Sequence, residues 1–372
     1  MKKIAIVHDW FTTFAGAEKV VEQFVRLYPQ ADLFSLVDFL PAKDRGLLND
    51  APIRTSFLQQ MPFARKHYRM YLGLMPLAIE RLDVSGYDLV LSSCHAVAKG
   101  VRTQPGQLHI SYIHTPIRYA WDMQDEYLAT SGLKNLRGLA ARVLLIYIRA
   151  WDVRAAQRPN VLAANSAFVV ERIRKYYGRT AQVIYPPIDT DYYTPGGVRE
   201  DFYLTASRLV PYKRIDLIAQ AFREMPDKKL VIIGDGPDAP KIKALCGPNV
   251  TWLGYQPDDV LRDYLRRCRA FIFAAKEDFG ILPVEAQACS APVIAYGAGG
   301  ALETVTPLTG MHFPEQTPTA IREAVLTFEQ TRERFLPETC RQNAGRFSVA
   351  CFREQFGQFV QTAWENFQQT NK

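Results

Sequence analysis

Two successive series of short apolar runs, each alternating with helical patterns, constrain the fold of this 372-residue chain more than any other feature. Helical patterns at residues 17–28 and 138–157 separate runs of the first series, at residues 3–7, 31–37, 87–92, 108–113, 161–165 and 182–185. The second series lies at residues 202–206, 229–233, 250–253, 270–274, 292–296 and 310–313. Such patterns are typical of parallel sheets covered on both faces. The sequence therefore predicts an α/β protein with two Rossmann-like parallel-sheet domains.

The boundary between the domains is predicted near paired prolines, Pro186-Pro187, and two later glycines, Gly196-Gly197. Prolines stiffen a strand exit and glycines loosen the chain. We expect domains at residues 1–187 and 188–372, with the last helix free to pack back on the first domain. Ligands of open α/β sheets bind outside the carboxyl ends of the strands. Binding residues are therefore expected immediately after strands, with the two domains facing each other across a cleft.

Composition indicates a cytoplasmic globular protein. Hydrophobic residues make up 48% of the chain and charged residues 22%. The longest apolar stretch, residues 139–148, is interrupted by Arg142 and is shorter than the roughly 20 residues a membrane span needs. The first residues lack the pattern of a secretory signal peptide. Six dispersed cysteines without a C-x-x-C pair favour reduced thiols over disulfides or a zinc site.

The net positive charge is confined to the first half of the chain. Through Tyr185 there are 24 basic and 15 acidic residues, a balance of +9; the remaining 21 basic and 23 acidic residues give −2. Such a field favours a phosphorylated ligand, an anionic membrane surface or nucleic acid. Within residues 56–82, aromatic and aliphatic residues alternate with Arg65, Lys66, Arg69 and Arg81. This pattern suits a membrane interface or, equally well, an ordinary amphipathic core helix.

Two glutamates flank a predicted helix start in Glu277-Asp278-Phe279-Gly280-Ile281-Leu282-Pro283-Val284-Glu285. The segment follows the apolar run 270–274, and Pro283 is tolerated in a first helical turn. Backbone N–H groups of Gly280, Ile281 and Leu282 would be available to an anion. The carboxylates could accept hydrogen bonds from sugar and ribose hydroxyls. Two surface glutamates favoured by the helix dipole are the alternative.

A second candidate motif, Arg208-x4-Lys213, follows the first strand of the second half. A guanidinium and an ammonium on one loop can both reach a diphosphate and neutralise its charge without a metal ion. Basic residues at a solvated helix start are the alternative. Other residues in positions after strands are Gly16, His114, Gly234 and Tyr255. Tight turns and a packed or surface histidine are the alternatives.

The segment from Glu277 to Glu285 resembles the E-x7-E motif of family 4 retaining glycosyltransferases, which have the GT-B fold. The resemblance implies that Glu277 contacts the donor sugar, that Glu285 binds the nucleotide ribose, and that Phe279 and the following amides line the donor site. It also implies a diphosphate clamp of Arg208 and Lys213, a sugar contact by His114, a phosphate-facing loop at Gly16, and base-surrounding turns at Gly234 and Tyr255. Many relatives carry two glycines where this chain has Ala15-Gly16.

His8-Asp9-Trp10 and Tyr112-Ile113-His114-Thr115-Pro116 resemble bacterial mannosyltransferases of O-antigen and exopolysaccharide assembly. The resemblance implies retaining transfer of a hexose, with mannose from GDP-mannose as the expected donor. The expected acceptor is a saccharide or polyprenyl-linked saccharide of lipopolysaccharide-type polymers. It implies an acceptor-side first domain, a donor-binding second domain and no metal or other cofactor.

The expected location is the cytoplasm, with peripheral contact at the anionic inner face of the plasma membrane. Alternative functions are a GT-B sugar-nucleotide epimerase or phosphorylase and a basic nucleic-acid-binding protein. No pyridoxal lysine can be identified, and nucleic acid is not an expected partner because no recognition motif is visible.

Overall fold

The computed structural model describes residues 2–122 and 135–370. The chain divides into two compact units, residues 1–186 with 352–372, and residues 187–351. The division at Pro186 lies one residue before the predicted one. Residues 352–372 belong to the first unit, the arrangement that the sequence analysis left open for the last helix.

The first unit is built on a seven-stranded parallel sheet with the order β3-β2-β1-β4-β5-β6-β7. Its strands are β1 (Ile4–His8), β2 (Asp32–Ser35), β3 (Ile53–Thr55), β4 (Leu89–Cys94), β5 (Leu108–Ile113), β6 (Val161–Ala164) and β7 (Gln182–Val183). Every residue of β1, β4 and β5 is buried, as expected of parallel strands covered on both faces. All six predicted runs form strands, and the edge strand β3 was not predicted.

Helices and short helical pieces cover this sheet. They are α1 (Gly16–Leu27), α2 (Ala42–Arg45), α3 (Ala64–His67), α4 (Met75–Glu80), α5 (Asn135–Ala155) and α6 (Ala167–Tyr177). Instead of one amphipathic helix, residues 57–80 form four short pieces, two of them the 3-10 helices Phe57–Gln60 and Tyr68–Leu74. The hydroxyl of Ser166 accepts the Val169 N–H and caps α6.

The second unit is built on a six-stranded parallel sheet with the order β10-β9-β8-β11-β12-β13. Its strands are β8 (Tyr203–Ala206), β9 (Leu230–Ile233), β10 (Val250–Trp252), β11 (Phe271–Phe273), β12 (Val293–Tyr296) and β13 (Gly310–Phe313). Its helices are α7 (Ile215–Arg223), α8 (Ala239–Leu245), α9 (Asp258–Arg267), α10 (Ile281–Ala288), α11 (Ala301–Thr304), α12 (Pro318–Thr331) and α13 (Pro337–Gly345). The two parallel sheets confirm the prediction of two Rossmann-like α/β units.

The last helix, α14 (Val349–Thr370), contributes its apolar side to the first unit. Phe356 stacks on Phe24 of α1 with ring centroids 4.2 Å apart, and Phe352 meets the ring of Tyr112 edge-on at 6.0 Å. Phe352, Phe356 and Val360 all belong to the buried core under β1 and β5. This packing explains why the end of the chain belongs with the beginning.

Candidate functional site

In the second unit, the candidate residues follow two strands between which the strand order reverses. Strands β9 and β10 lie on one side of β8, and β11, β12 and β13 lie on the other. The loop after β8 carries Arg208 and Lys213, and the loop after β11 carries Glu277. Such a topological switch point is where open α/β sheets bind ligands. The predicted motifs therefore lie on neighbouring loops of one sheet.

The structure brings Lys213 and Glu277 into direct contact as an ion pair between Nζ and Oε1. Their side chains are 14% and 16% exposed, so the pair is mostly shielded but open to solvent. Lys213 ends a 3-10 turn, Pro211–Lys213, and the following Arg214 adopts the left-handed conformation with φ of +56°. Arg208 lies on the same loop with an exposed side chain. An anionic ligand could bind Arg208 and compete with Glu277 for Lys213.

Two glycines that the sequence analysis missed support the Glu277 loop. The Gly300 N–H donates to the Glu277 carbonyl at 2.8 Å. A Cβ on Gly299 would lie 2.3 Å from that carbonyl oxygen, and one on Gly300 would lie 2.3 Å from the Phe279 Cα. Only glycine permits this approach. Their position just after the predicted strand 292–296 is the same signal that singled out Gly234.

Helix α10 begins at Ile281, with Pro283 in its first turn as predicted and Gly280 as its N-cap at φ of +87°. The first-turn amides, including those of Ile281 and Leu282, have no acceptor within the helix and can donate to a ligand. Phe279 is buried and meets Phe347 edge-on, with ring centroids 5.5 Å apart. Glu285 lies one turn further along α10 and is 4% exposed.

Gly234 has a structural role in the second unit. Its φ is +134°, and a Cβ there would lie 1.8 Å from the carbonyl oxygen of Ser207. Its N–H donates to the Gly254 carbonyl at 2.7 Å. The close approach that Gly234 permits is thus to the backbone that leads into Arg208. Tyr255, beside Gly254, is 75% exposed.

A buried polar cluster occupies the corresponding switch point of the first unit. In that sheet the order reverses between β1 and β4. His8 ends β1 and Asp9 follows it, Ser93 lies in β4 and His95 follows that strand, and His114 follows β5. The ring centroids of His8 and His95 are 5.6 Å apart, and those of His95 and His114 are 6.3 Å apart. Of these residues, only His114 was among the predicted site residues.

Asp9 anchors the turn that follows β4. Its Oδ2 accepts the N–H groups of His95 and Ala96 at 2.6 and 2.9 Å, and its Oδ1 accepts those of Val97 and Ala98 at 2.6 and 2.7 Å. Burial alone would raise the pKa of Asp9, but His95, His8 and these amides hold it below its ordinary value. Asp9 is therefore a structural carboxylate whose hydrogen bonds are made within the protein.

A chain of contacts runs from Glu18 through His8 and Ser93 to His114. Glu18 Oε1 lies 3.5 Å from His8 Nε2, His8 Nδ1 lies 3.2 Å from Ser93 Oγ, and Ser93 Oγ lies 2.8 Å from His114 Nε2. Burial alone would lower the pKa of His8, but the Glu18 carboxylate raises it above its ordinary value. Burial, with the charges of His95 and His8, lowers the pKa of His114 well below its ordinary value. This series of contacts therefore ends at the neutral imidazole of His114.

Gly16 is the first residue of α1, two residues before Glu18, where the series of contacts to His114 begins. Glu18 Oε2 accepts the Ala15 N–H at 3.1 Å, so the residue that polarises His8 also holds the loop before α1. In the part of the chain that the structure describes, no group of three or more His, Cys, Asp or Glu residues is arranged to hold a metal ion. No helix in the described ranges is both long and apolar enough to cross a membrane.

Sequence comparisons match most of the chain to glycosyltransferases. Residues 14–192 match the family "Glycosyltransferase Family 4", and residues 197–346 match "Glycosyl transferases group 1". An uncharacterized glycosyltransferase of Methanocaldococcus jannaschii is 28% identical over 49% of this chain and 53% of its own length. A GDP-mannose-dependent monoacylated α-(1-6)-phosphatidylinositol monomannoside mannosyltransferase of Corynebacterium glutamicum is 37% identical over 28% of this chain. The chain covers 32% of that mannosyltransferase, so these relatives are matched over about half of their length or less.

Solved glycosyltransferase structures share the fold. HepE of Anabaena, solved in complex with UDP and glucose, superposes with a TM-score of 0.69 at 19% identity, over 97% of this chain and 100% of its own. Sucrose-phosphate synthase of Thermosynechococcus elongatus superposes with a TM-score of 0.73 at 16% identity, over 98% of this chain and 100% of its own. With the two family matches and the two parallel sheets, the chain belongs to the family 4 glycosyltransferases of GT-B fold.

Proposed function

We propose that this protein transfers a hexose from a nucleoside-diphosphate sugar to a hydroxyl acceptor, with retention of the anomeric configuration. The observation that supports it most is the meeting of Lys213 and Glu277 at the switch point of the second sheet, with Arg208 exposed on the same loop. One site thus offers cations for a diphosphate and a carboxylate for sugar hydroxyls. A relative that is GDP-mannose-dependent and a fold neighbour that binds UDP and glucose are consistent with such a donor.

In the proposed mechanism the protein orients the donor and stabilises charge rather than forming a covalent intermediate. Arg208, Lys213 and the first amides of α10 would hold the diphosphate as it leaves the anomeric carbon. The leaving diphosphate would accept the proton of the incoming hydroxyl on the same face of the sugar. Glu277 and His114 would contact the sugar, and Glu285 the ribose. No divalent cation is required, since the two side-chain cations neutralise the leaving group.

The acceptor side of the proposal is a saccharide or polyprenyl-linked saccharide of a cell-surface polymer, with mannose as the transferred sugar. Gly16, Phe279, Gly234 and Tyr255 are proposed to border the donor. The basic first unit would act in the cytoplasm in peripheral contact with the anionic inner face of the plasma membrane. The +9 balance of residues 1–185 is the feature that supports this contact.

The test is to incubate the full chain with a panel of GDP- and UDP-hexoses, with and without polyprenyl-linked saccharides and with excess chelator. Acceptor-dependent nucleoside diphosphate release is expected, unchanged by chelator, and NMR should show the donor's anomeric configuration in the product. Release of free sugar and diphosphate without any acceptor would instead indicate an epimerase-type reaction. The proposal would be contradicted if no donor released nucleoside diphosphate and the protein bound no nucleoside diphosphate.

A further inference from the structure

Helix α5 of the first unit is apolar on two opposite sides, and among the described residues only one of these sides packs against the core. Leu145, Ile148 and Trp151 point into the core. The other side, called here the α5 face, is formed by Leu139, Val143, Ile146 and Tyr147, at the spacing of one helical stripe. Val143 is 59% exposed and Ile146 is 63% exposed. A helix that is apolar on two sides is expected to be covered on both of them.

A second set of exposed apolar side chains belongs to a segment that contacts α5. It comes from the short helical pieces of residues 57–77, called here the 57–77 segment, and consists of Phe57, Phe63, Met70, Leu74 and Leu77. The two elements touch, since a Cβ on Gly73 would lie 3.2 Å from Leu144 Cδ1 and Leu72 packs on the cluster that contains Leu145. Phe63 is 81% exposed and Met70 is 79% exposed. Exposed apolar side chains are therefore concentrated on two elements that contact each other, unlike the single exposed residues of an ordinary surface.

Exposed cations outnumber carboxylates around this surface, although Asp83 lines the same cleft as Phe57 and Arg54 pairs with Asp32. Residues 51–79 contain Arg54, Arg65, Lys66 and Arg69 and no Asp or Glu. Residues 135–151 contain three arginines and likewise no Asp or Glu. Arg65, Lys66, Arg69 and Arg142 are exposed. Apolar side chains bordered by an excess of exposed cations match an anionic lipid surface, where side chains enter the acyl boundary and cations meet headgroups.

We propose that the α5 face and the 57–77 segment together form the surface by which this protein docks on an anionic lipid bilayer. This inference rests on the proposed membrane contact and assigns it to named residues on two elements. Docking on this surface would hold the first unit at the bilayer, where a lipid-linked acceptor is available. Electrostatic attraction brings the protein to the surface, and burial of the apolar side chains then retains it.

Flotation of the full chain with vesicles tests the proposal, using phosphatidylcholine alone or mixed with phosphatidylglycerol. The assay contains no sugar nucleotide, so its outcome is independent of transfer activity. Binding to anionic vesicles is expected, and it should weaken as salt is raised because exposed charges more than about 10 Å apart are screened at 0.1 M ionic strength. Equal binding to both vesicle types, or none to either, would overturn the proposal.

Paired variants locate the surface. Val143→Gln with Ile146→Gln should weaken binding at least about ten-fold. The control, Leu308→Gln with Leu336→Gln, changes residues of the second unit that are 63% and 54% exposed and should bind like the unmodified protein. If both pairs bind alike, the α5 face is not the docking surface. A different result would also contradict the proposal: the unmodified protein is a dimer that does not bind vesicles, and Val143→Gln with Ile146→Gln makes it monomeric. A second copy of the protein would then cover the α5 face.

A charge variant keeps the test open if the apolar variant fails to fold. Arg65→Gln, Lys66→Gln and Arg142→Gln together remove three exposed cations near the surface. Their loss should weaken anionic-vesicle binding on the order of 100-fold, at about five-fold per cation. Arg223→Gln, Arg332→Gln and Arg334→Gln remove three exposed cations of the second unit and the same total charge. Equal losses in both triple variants would mean that net charge alone drives binding and would overturn the assigned surface.

Discussion

The two units place polar residues at the same topological position of a parallel sheet but surround them differently. In the first unit, His8, Asp9 and His95 lie at the switch point, and hydrogen bonds and ring contacts within the unit engage them. In the second unit, the loops at the switch point present an exposed Arg208 and the partly exposed pair of Lys213 and Glu277. Changes in the first unit should therefore alter stability and geometry, and changes in the second should alter ligand binding and turnover.

The diphosphate-facing cations should give the largest effect. Arg208→Ala with Lys213→Ala should lower kcat/KM about 100- to 1,000-fold or more, since one lost electrostatic contact to a transition state typically costs that much. Because Arg208 is exposed, any fall in the unfolding midpoint should come from loss of the Lys213–Glu277 ion pair. Steady-state kinetics and thermal unfolding measure the two quantities, with exposed Arg223→Ala as control. Normal turnover in a folded double variant would remove both residues from the site.

The two glutamates of the second unit should separate sugar from nucleotide recognition. Glu277→Gln should lower kcat/KM about 10- to 100-fold through loss of a charge-assisted hydrogen bond of roughly 1.5–3 kcal/mol. It also releases Lys213 from its ion pair, so affinity for bare nucleoside diphosphate should hold or rise. Glu285→Gln should weaken the affinity for bare nucleoside diphosphate, because this variant loses the proposed contact between the Glu285 carboxylate and the ribose. Calorimetry with the diphosphate alone distinguishes them, and identical affinities in both variants would contradict these roles.

Sequence reasoning predicted the sheets and the second-unit loops well because both depend on local patterns. Apolar runs located twelve of the thirteen strands, and the missed β3 is a three-residue edge strand with little burial. The Lys213–Glu277 contact joins residues 64 positions apart, so a motif on each side could suggest it without showing it. The cluster around His8 was harder to foresee, since Glu18, Ser93 and His95 belong to no shared motif and meet only through strand order.

Buried histidines should make the first unit sensitive to acid. Burial, with the charges of Arg158 and Arg179, lowers the pKa of His109 from 6.5 to about 3. Below pH 6.5 the unfolded chain therefore binds a proton that the folded chain does not, and stability falls with pH. By pH 5 this residue alone should cost about 2 kcal/mol.

The difference in unfolding free energy between pH 7 and pH 5 measures this cost without depending on absolute stability. In His109→Gln the difference should be smaller by about 2 kcal/mol. His8 acts in the opposite direction, since its pKa is raised, but it contributes equally to both proteins. His67→Gln, at an exposed histidine, is the control. An unchanged pH difference in His109→Gln would show that His109 is protonated in the folded protein.

The smallest expected effect decides whether the first-unit cluster only supports the fold or also positions His114. A charged His8 donates through Nδ1 towards the Ser93 main-chain and side-chain oxygens, which leaves the Ser93 hydroxyl proton for His114 Nε2. His114 then carries its proton on Nδ1 and can donate it to a sugar hydroxyl. Ser93→Ala removes this link and should lower kcat/KM about two- to ten-fold, the equivalent of roughly 0.5–1.5 kcal/mol for a neutral hydrogen bond. Affinity for bare nucleoside diphosphate should be unchanged, because the diphosphate lacks the sugar.

Ser92→Ala is a matched control, because Ser92 is the preceding residue of β4, is equally buried, and bonds to Ser111 and His109 instead. Both variants lose one buried hydroxyl and should lose similar stability. Only Ser93→Ala should lower kcat/KM. The acidic limb of its pH profile should also change, because the Ser93 hydroxyl no longer donates a hydrogen bond to the neutral form of the His114 imidazole. Glu18→Gln, which weakens the charge on His8, should change the same limb in the same direction. If Ser92→Ala and Ser93→Ala lower turnover equally, the cluster acts through stability alone and His114 is a packed histidine like His109.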